Sequence, residues 1–588
     1  MITPPPLDAR RFAGWLLLIT LAALALRLSF PTADPPWTTT VGIVWHDEGA
    51  WVHNARNRAL FGRWSEDAWN PMFIAPVFTG LEFVSFSLFG VGVWQARLVS
   101  ELTGVASVVL LALGVRRIAG REAGLIAGAL LATNYVYVMW NRAALMEASM
   151  VAFMVAAWYC YVRAQTQPLW GALAAACALL AYFTKAAAIF FVAALGVEAV
   201  LILVRPTAAD TPASRRAALT TLAGLTLCGI VALAIFVVPN WTDYRFYNWQ
   251  MSVTRKPSYD LQSLLNRVTW FPIVHDIFTR MWFTVAIGVV GLVASVARWR
   301  TVAPAERLFA LWIGLGALEL LLHDVGNERR FLFFIPALVA LTAIVLGRNR
   351  RLVPVELAAM PRATALVGLP IVLYGLYVVV GALTRLVALY EPRPGVRLGA
   401  ALAVLGTGLL YLTWPKLPKL LAARQWSPAA AMLVAALVSG GQLVQFAQWA
   451  MDRTYKNYLA SVEIGTVLPR GTLVHGKLAN GLALENGIKP VFVGRGFGNY
   501  DDRKERDDVR YILTYVAPYI GYEGPVIRDV LAAYPNRTTI KTFDVAETAT
   551  GHDRAALIDK FGDKVEDASG AGSATAPARP GSVIRAQY

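Results

Sequence analysis

The sequence predicts a polytopic α-helical membrane protein with a small α/β domain at its C-terminal end, and three observations predict it. Of 588 residues, 57% are hydrophobic and only 16% charged, where a soluble chain carries about 25% charged residues. The apolar residues come in runs of about 20, the length of helix that crosses a hydrocarbon core. From about residue 452 the long runs stop, and 18 basic residues balance 17 acidic ones as far as the C-terminus. A chain this rich in apolar residues is not a disordered one.

Taken in order, the apolar runs predict spans near 13–30, 94–115, 119–139, 144–162, 169–183, 186–204, 217–238, 281–297, 308–322, 331–346, 364–384, 396–414 and 429–450, about 13 in all. The first follows Asp8-Ala9-Arg10-Arg11 and no small-residue cleavage site comes after it, so it reads as a retained span. Segment 72–92 is apolar but interrupted by Pro76 and Glu82, and reads as a helix in the outer interface. Arginine and lysine clusters such as Arg116/Arg117/Arg121, Arg298/Arg300/Arg307 and Arg348/Arg350/Arg351 fall in connections that are cytoplasmic when the N-terminus is. That is the orientation the positive-inside rule selects.

The formal charge of +16 is concentrated before residue 452. Topology and anionic lipid account for it better than a nucleic-acid partner, which calls for a basic face with interleaved aromatics. The three cysteines, Cys160, Cys177 and Cys228, all sit in apolar runs, which excludes a disulfide framework or a thiolate metal site.

Residues 1–451 thus form the membrane module, with two long outer loops at 31–93 and 240–280. Residues 452–565 form the extracytoplasmic domain, with strands expected at 472–476, 490–493, 510–516 and 538–543. Helices are expected near 478–486, 524–534 and 553–561, and 566–588 reads as a disordered Ala/Gly/Ser/Pro-rich tail. Gly494-Arg-Gly-Phe-Gly498 imitates a nucleotide loop. It leads into the charge run Asp501–Asp508 instead of a helix, so it reads as a flexible loop beside the site.

Four polar constellations gather at the outer ends of the spans. In Trp45-His46-Asp47-Glu48-Gly49, two adjacent carboxylates start an amphipathic helix, with Asp47 in an N-cap position. Such a pair at a membrane surface suits a base that takes a proton from a hydroxyl. Arg142 and Glu147 flank the start of the fourth span, Lys185 stands alone between two spans, and His323, Asp324, Arg329 and Arg330 precede a span through Pro336. Arg97, four residues before Glu101, adds another cation. Ionisable groups at a bundle edge mark sites, and adjacent outer arginines call for an anionic partner such as phosphate. Read plainly, the same residues could form ordinary interfacial pairs, Arg142 with Glu147 and Arg97 with Glu101.

The order of these motifs resembles the GT-C superfamily of polyprenyl-phosphate-sugar glycosyltransferases, in particular its protein O-mannosyltransferase and lipid A aminoarabinose transferase branches. The resemblance rests on Asp47-Glu48, Phe89 through Leu98, Arg142 through Glu147, Phe183-Thr184-Lys185 and Arg329 through Pro336. The aminoarabinose branch carries Arg and Lys where this chain has Ala50 and Asn70. The resemblance implies an inverting single displacement with Asp47 as base and Arg97 near the donor phosphate. The catalytic candidates are then Asp47, Glu48 and Glu147. The phosphate-binding candidates are Arg97, Arg142, Lys185, Arg329 and Arg330, and the acceptor contacts are His53, His323 and Asp324. The expected partners are a polyprenyl-phosphate-linked sugar, an extracytoplasmic acceptor and membrane lipid, with no nucleic acid. No cofactor is required, and a divalent metal is compatible with the site but not implied. The expected location is the bacterial cytoplasmic membrane. A lipid or polysaccharide transporter would gather its ionisable groups at the midplane, a reading that Glu198 and Glu319 inside spans favour, and a non-catalytic assembly subunit would leave Asp47 dispensable.

Overall fold

The computed structural model describes residues 8–36, 45–253, 280–323, 328–351, 353–359, 416–493, 501–517, 530–546 and 553–562, with isolated positions between them. The expected spans at 364–384 and 396–414, apart from isolated positions, the tail 566–588, Asp324 and the glycines at 494–498 lie outside the described residues, as do 254–279 and the first part, 524–529, of the helix expected at 524–534.

Helix α1 (Ala9–Leu28) starts where the Asp8 carboxylate accepts from the Arg11 amide at 2.7 Å. The connection that follows holds two short helices, α2 (Trp45–Trp51) and α3 (His53–Phe61), and a 14-residue helix, α4 (Pro76–Phe89). At 1.5 Å per residue α4 is about 21 Å long, short of the ~30 Å hydrocarbon core. Next come α5 (Val93–Ala119), α6 (Arg121–Thr133) and α7 (Tyr135–Asn141). The expected span at 119–139 is bent by 59° between α6 and α7. The break falls at Asn134, whose side chain accepts from the Tyr137 amide and so caps a new helix.

Helices α8 (Met146–Ala164), α9 (Trp170–Thr184), α10 (Ile189–Val204), α11 (Pro212–Ala232) and α12 (Trp241–Val253) follow, and then α13 (Trp282–Ala297), α14 (Pro304–His323), α15 (Phe334–Ala343) and α16 (Pro428–Asp452). In the bundle α8 packs on α5 and α9, α9 on α11, and α13 on α15. The α5–α8 contact is close because residue 114 is glycine: a Cβ there would stand 2.2 Å from the Trp158 ring. Among the described residues, six helices are long and apolar enough to cross a membrane, or seven if α6 and α7 count as one span. The bundle is mostly helical with several apolar spans.

At the end of the bundle away from α2, the clustered arginines find carboxylates. Arg307 donates to Glu198 at 2.8 and 3.0 Å and to Asp210 at 2.7 Å, and Arg348 donates to Glu306 at 2.7 Å. Glu198, one of the two span-embedded acids expected of a transporter pathway, is thus tied into a buried pair.

Beyond α16 lies a helix, α17 (Lys456–Val467), and a five-stranded sheet in the order β2-β1-β3-β5-β4. Strands β1 (Leu473–His475), β2 (Lys489–Val491) and β3 (Tyr511–Ala517) run parallel, while β4 (Thr538–Asp544) and β5 (Arg554–Asp559) pair antiparallel to their neighbours. Residues 553–561, expected as a helix, instead supply β5. The run Ala555-Ala556-Leu557-Ile558 is buried on both faces between β3 and β4. A short apolar run buried on both sides has no periodicity to tell strand from helix, and tertiary pairing decides it. One face of the sheet packs on α17 through Ile464, Val474, Leu513 and Leu557.

Candidate functional site

The residues that carry chemistry meet at the end of the bundle where α1 finishes and α5 and α8 begin. Asp47 and Glu48 are neither the start nor the cap of their helix. Trp45 begins α2, so both carboxylates lie in its first turn, where the helix dipole favours them. One residue of helix turns the side chain by about 100°, and the two acids therefore meet different partners.

Glu48 faces inward. Its two oxygens accept from Arg97 Nε and Nη2, both at 2.9 Å, and Oε1 also takes the Ala144 amide at 2.8 Å. The remaining reach of Arg97 goes to the carbonyls of Pro31 at 3.0 Å and Ala33 at 2.7 Å. Arg97 therefore binds the first long loop to α5. Its hydrogen bonds go to Glu48 and to those carbonyls, not to Glu101.

Asp47 faces the other way and keeps 17% of its side chain exposed, against 6% for Glu48. Its Oδ2 is 2.9 Å from Arg329 Nη1. Arg329 Nε is in turn 3.0 Å from Glu147 Oε1, and the same oxygen receives Lys185 Nζ. Four groups from four separate segments thus alternate in sign: Asp47, Arg329, Glu147, Lys185. The 3-10 turn Glu328–Phe333 presents Arg329, the first turn of α8 presents Glu147, and the break between α9 and α10 presents Lys185. Burial lowers the Lys185 ammonium to about 8, with Glu147 holding it up and Arg329 and Arg330 repelling it. Arg330 itself is half-buried beside this row.

Arg142 and His53 are placed elsewhere. Arg142 donates to the carbonyls of Leu26, Arg27 and Phe30 at 2.7–3.1 Å and lies 4.6 Å over the Trp449 ring. It closes the C-terminus of α1, a task the orphan carbonyls of any helix end create, and it does not pair with Glu147. His53 is buried: its Nε2 is 2.9 Å from Asp67 and 3.1 Å from Asn57, and its Nδ1 is 3.1 Å from Asn480. It joins the first long loop to the C-terminal domain. His323 ends α14, with its side chain outside the described residues. Among the described residues no three His, Cys, Asp or Glu side chains converge as a metal set.

Two structural residues escaped sequence reasoning. Asp34 accepts from Thr454 Oγ1 at 2.7 Å and from the Lys456 and Asn457 amides at 2.7 and 3.1 Å, capping α17 from the first loop. Arg56 donates to the carbonyls of Ala483, Asn486 and Ile488 at 2.9–3.1 Å. No local spacing announces either contact, because the partners lie more than 400 residues away.

The family described as dolichyl-phosphate-mannose-protein mannosyltransferase matches residues 75–241. ArnT from Cupriavidus metallidurans in the apo state superposes with a TM-score of 0.54 at 16% identity, over 93% of this chain and 98% of that one. The same protein bound to undecaprenyl phosphate gives 0.51 at 16% identity with the same coverage. No curated protein matches the chain. The chain shares the fold of ArnT, and the family match over residues 75–241 agrees with the resemblance that the motifs carry.

The two acids should separate in a stability assay. Glu48→Gln breaks a buried bidentate pair and leaves the Arg97 charge uncompensated, a loss of about 3–5 kcal/mol. Asp47→Asn, at the open end of the row, should cost roughly 1 kcal/mol or less. Thermal unfolding of the two variants in detergent measures the difference; equal unfolding temperatures would contradict the assignment.

Proposed function

We propose that this chain is an integral membrane glycosyltransferase. It moves a sugar from a polyprenyl phosphate to a hydroxyl of an extracytoplasmic acceptor (glycolipid, cell-wall glycan or protein) by an inverting single displacement. The observation that carries the proposal is the row itself: Asp47, the carboxylate at its open end, is paired at 2.9 Å with an arginine that adjoins a second arginine and a buried lysine. The family match to a mannosyltransferase and an ArnT structure bound to undecaprenyl phosphate support the donor class.

In this reading the acceptor hydroxyl attacks the anomeric carbon as the bond from that carbon to the phosphate oxygen breaks. Asp47 takes the hydroxyl proton, and Arg329, Arg330 and Lys185 stabilise the charge left on the phosphate. Arg329 has a second role. Before donor arrives it divides its charge between Asp47 and Glu147. A bound phosphate draws that charge toward itself, which leaves Asp47 a stronger base at the moment one is needed. Glu48 and Arg97 hold the geometry and take no proton.

The location proposed is the bacterial cytoplasmic membrane, crossed about 13 times, with the N-terminus inside and the C-terminal domain and site outside. The first outer loop holds that domain at the same end of the bundle as Asp47.

Asp47→Asn keeps the shape and removes the basicity, so turnover should fall by about 10²–10⁴-fold while the protein folds and binds donor. Mass spectrometry of surface glycolipids and glycoproteins from cells with and without the gene identifies the donor sugar for this assay. Near-normal turnover in Asp47→Asn would end the base assignment. Arg329→Ala removes a charge-assisted contact of roughly 1.5–3 kcal/mol, so donor affinity should weaken on the order of 10–100-fold; unchanged donor binding in a titration would take Arg329 out of the phosphate site. Protease added to intact spheroplasts should remove the C-terminal domain, and full protection would overturn the orientation.

A further inference from the structure

We infer that the C-terminal domain is part of the catalytic apparatus, with Glu485 and Asn480 acting as positioning residues that hold the Asp47 helix through Val93, Arg97, Glu48 and Gly49.

The first line of argument is the weakness of α2 by itself. It has seven residues, and an isolated helix shorter than about 12 residues does not hold in water. Its position is therefore set by what touches it. On one side this is Arg97, through Glu48. On the other it is the short helix Lys477–Gly481 of the C-terminal domain. There the backbone carbonyl of Asn480 presses on residue 49 so closely that a Cβ would stand 1.8 Å from its oxygen. The glycine after the two acids is thus explained by the C-terminal domain. The Asn480 side chain also reaches His53 Nδ1 at 3.1 Å.

A second connection reaches the same helix from behind. Val93 is the first residue of α5, and its N-cap, Gly92, has no side chain with which to satisfy the free amides of the helix start. Glu485 supplies the missing acceptor from across the molecule, taking the Val93 amide at 2.7 Å, and its charge suits the positive end of the helix. Arg97 lies four residues further on, one turn along the same face, and gives its guanidinium to Glu48. The path from the domain to the acid pair is therefore Glu485, Val93, Arg97, Glu48. The domain's own core, Ile464, Val474, Leu478, Leu482 and Leu557, is closed without Glu485, so this carboxylate is not needed to fold the domain that carries it.

The test uses the full-length protein in nanodiscs. Glu485→Ala should raise amide hydrogen exchange across residues 45–56 by about tenfold, roughly the loss of one helix cap. Glu485→Gln, which keeps an acceptor oxygen, should stay close to wild type. Val93→Pro removes the same bond from the other side without touching the domain, at a position where proline suits a helix. It should reproduce Glu485→Ala, and it serves if that variant does not fold. Unchanged exchange in Glu485→Ala or Val93→Pro overturns the inference.

The catalytic arm rests on the transferase reading. With an undecaprenyl-phosphate-linked sugar as donor, kcat should fall about tenfold at constant KM, and the loss should vanish in a Glu48→Gln background because both changes cut one path. A raised KM with constant kcat would make Glu485 a substrate contact, and full additivity with Glu48→Gln would sever the path; either overturns the positioning role. If no form of the protein transfers sugar, the transferase reading fails, while the exchange data still decide whether the domain holds α2.

Discussion

The buried pair of Glu48 with Arg97 is the constraint from which the geometry of this site follows. It joins a loop helix too short to hold its own shape to a 27-residue helix of the bundle. Two parallel hydrogen bonds fix direction as well as distance. With Glu48 turned inward, the helical rotation leaves Asp47 pointing out toward Arg329. Adjacent acids thereby acquire separate partners, Glu48 with Arg97 and Asp47 with Arg329.

Burial of charge is the recurring cost of this architecture, and at both ends of the bundle pairing meets much of it. Arg329 and Lys185 converge on Glu147. At the far end of the bundle Arg307 is shared by Glu198 and Asp210. Arg142 uses no carboxylate and instead consumes the free carbonyls at the end of α1. An isolated charge in a medium this dry is far more costly than any single contact returns. The difference between the two ends is exposure. The Arg307 cluster is sealed, whereas the row at the α2 end opens at Asp47, which remains 17% exposed. An ion-pair network closed on all sides does structural work; one that opens at a carboxylate can exchange partners with an incoming anion.

Much of this was legible in the sequence where the signal was local. The apolar runs placed eleven of the expected spans on helices of the bundle, because a run of about 20 apolar residues has few alternatives in a bilayer. Asp47, Glu147, Lys185 and Arg329 stood out because charge at the edge of an apolar run is costly enough to mark a site. Local spacing could not choose between partners: Arg97 sits one turn from Glu101, and Arg142 five residues from Glu147, yet Arg97 pairs with Glu48 and Arg142 bonds the end of α1. Segment 553–561 misled for the same reason, since four buried apolar residues fit a helix face as well as a strand enclosed on both sides.

By itself, then, the sequence determined that the chain is rich in apolar helices, that ionisable groups mark the ends of the apolar runs, and that an α/β segment follows. These properties depend on composition and on periodicity within single segments. Which acid meets Arg329, which arginine is taken by Glu48, and why residue 49 has no side chain were decided only by the tertiary structure. Glu48 meets Arg97 across 49 residues, Arg56 meets Asn486 across 430, and Val93 meets Glu485 across 392. Contacts at such separations follow from how whole helices pack, and no pattern within one segment encodes them.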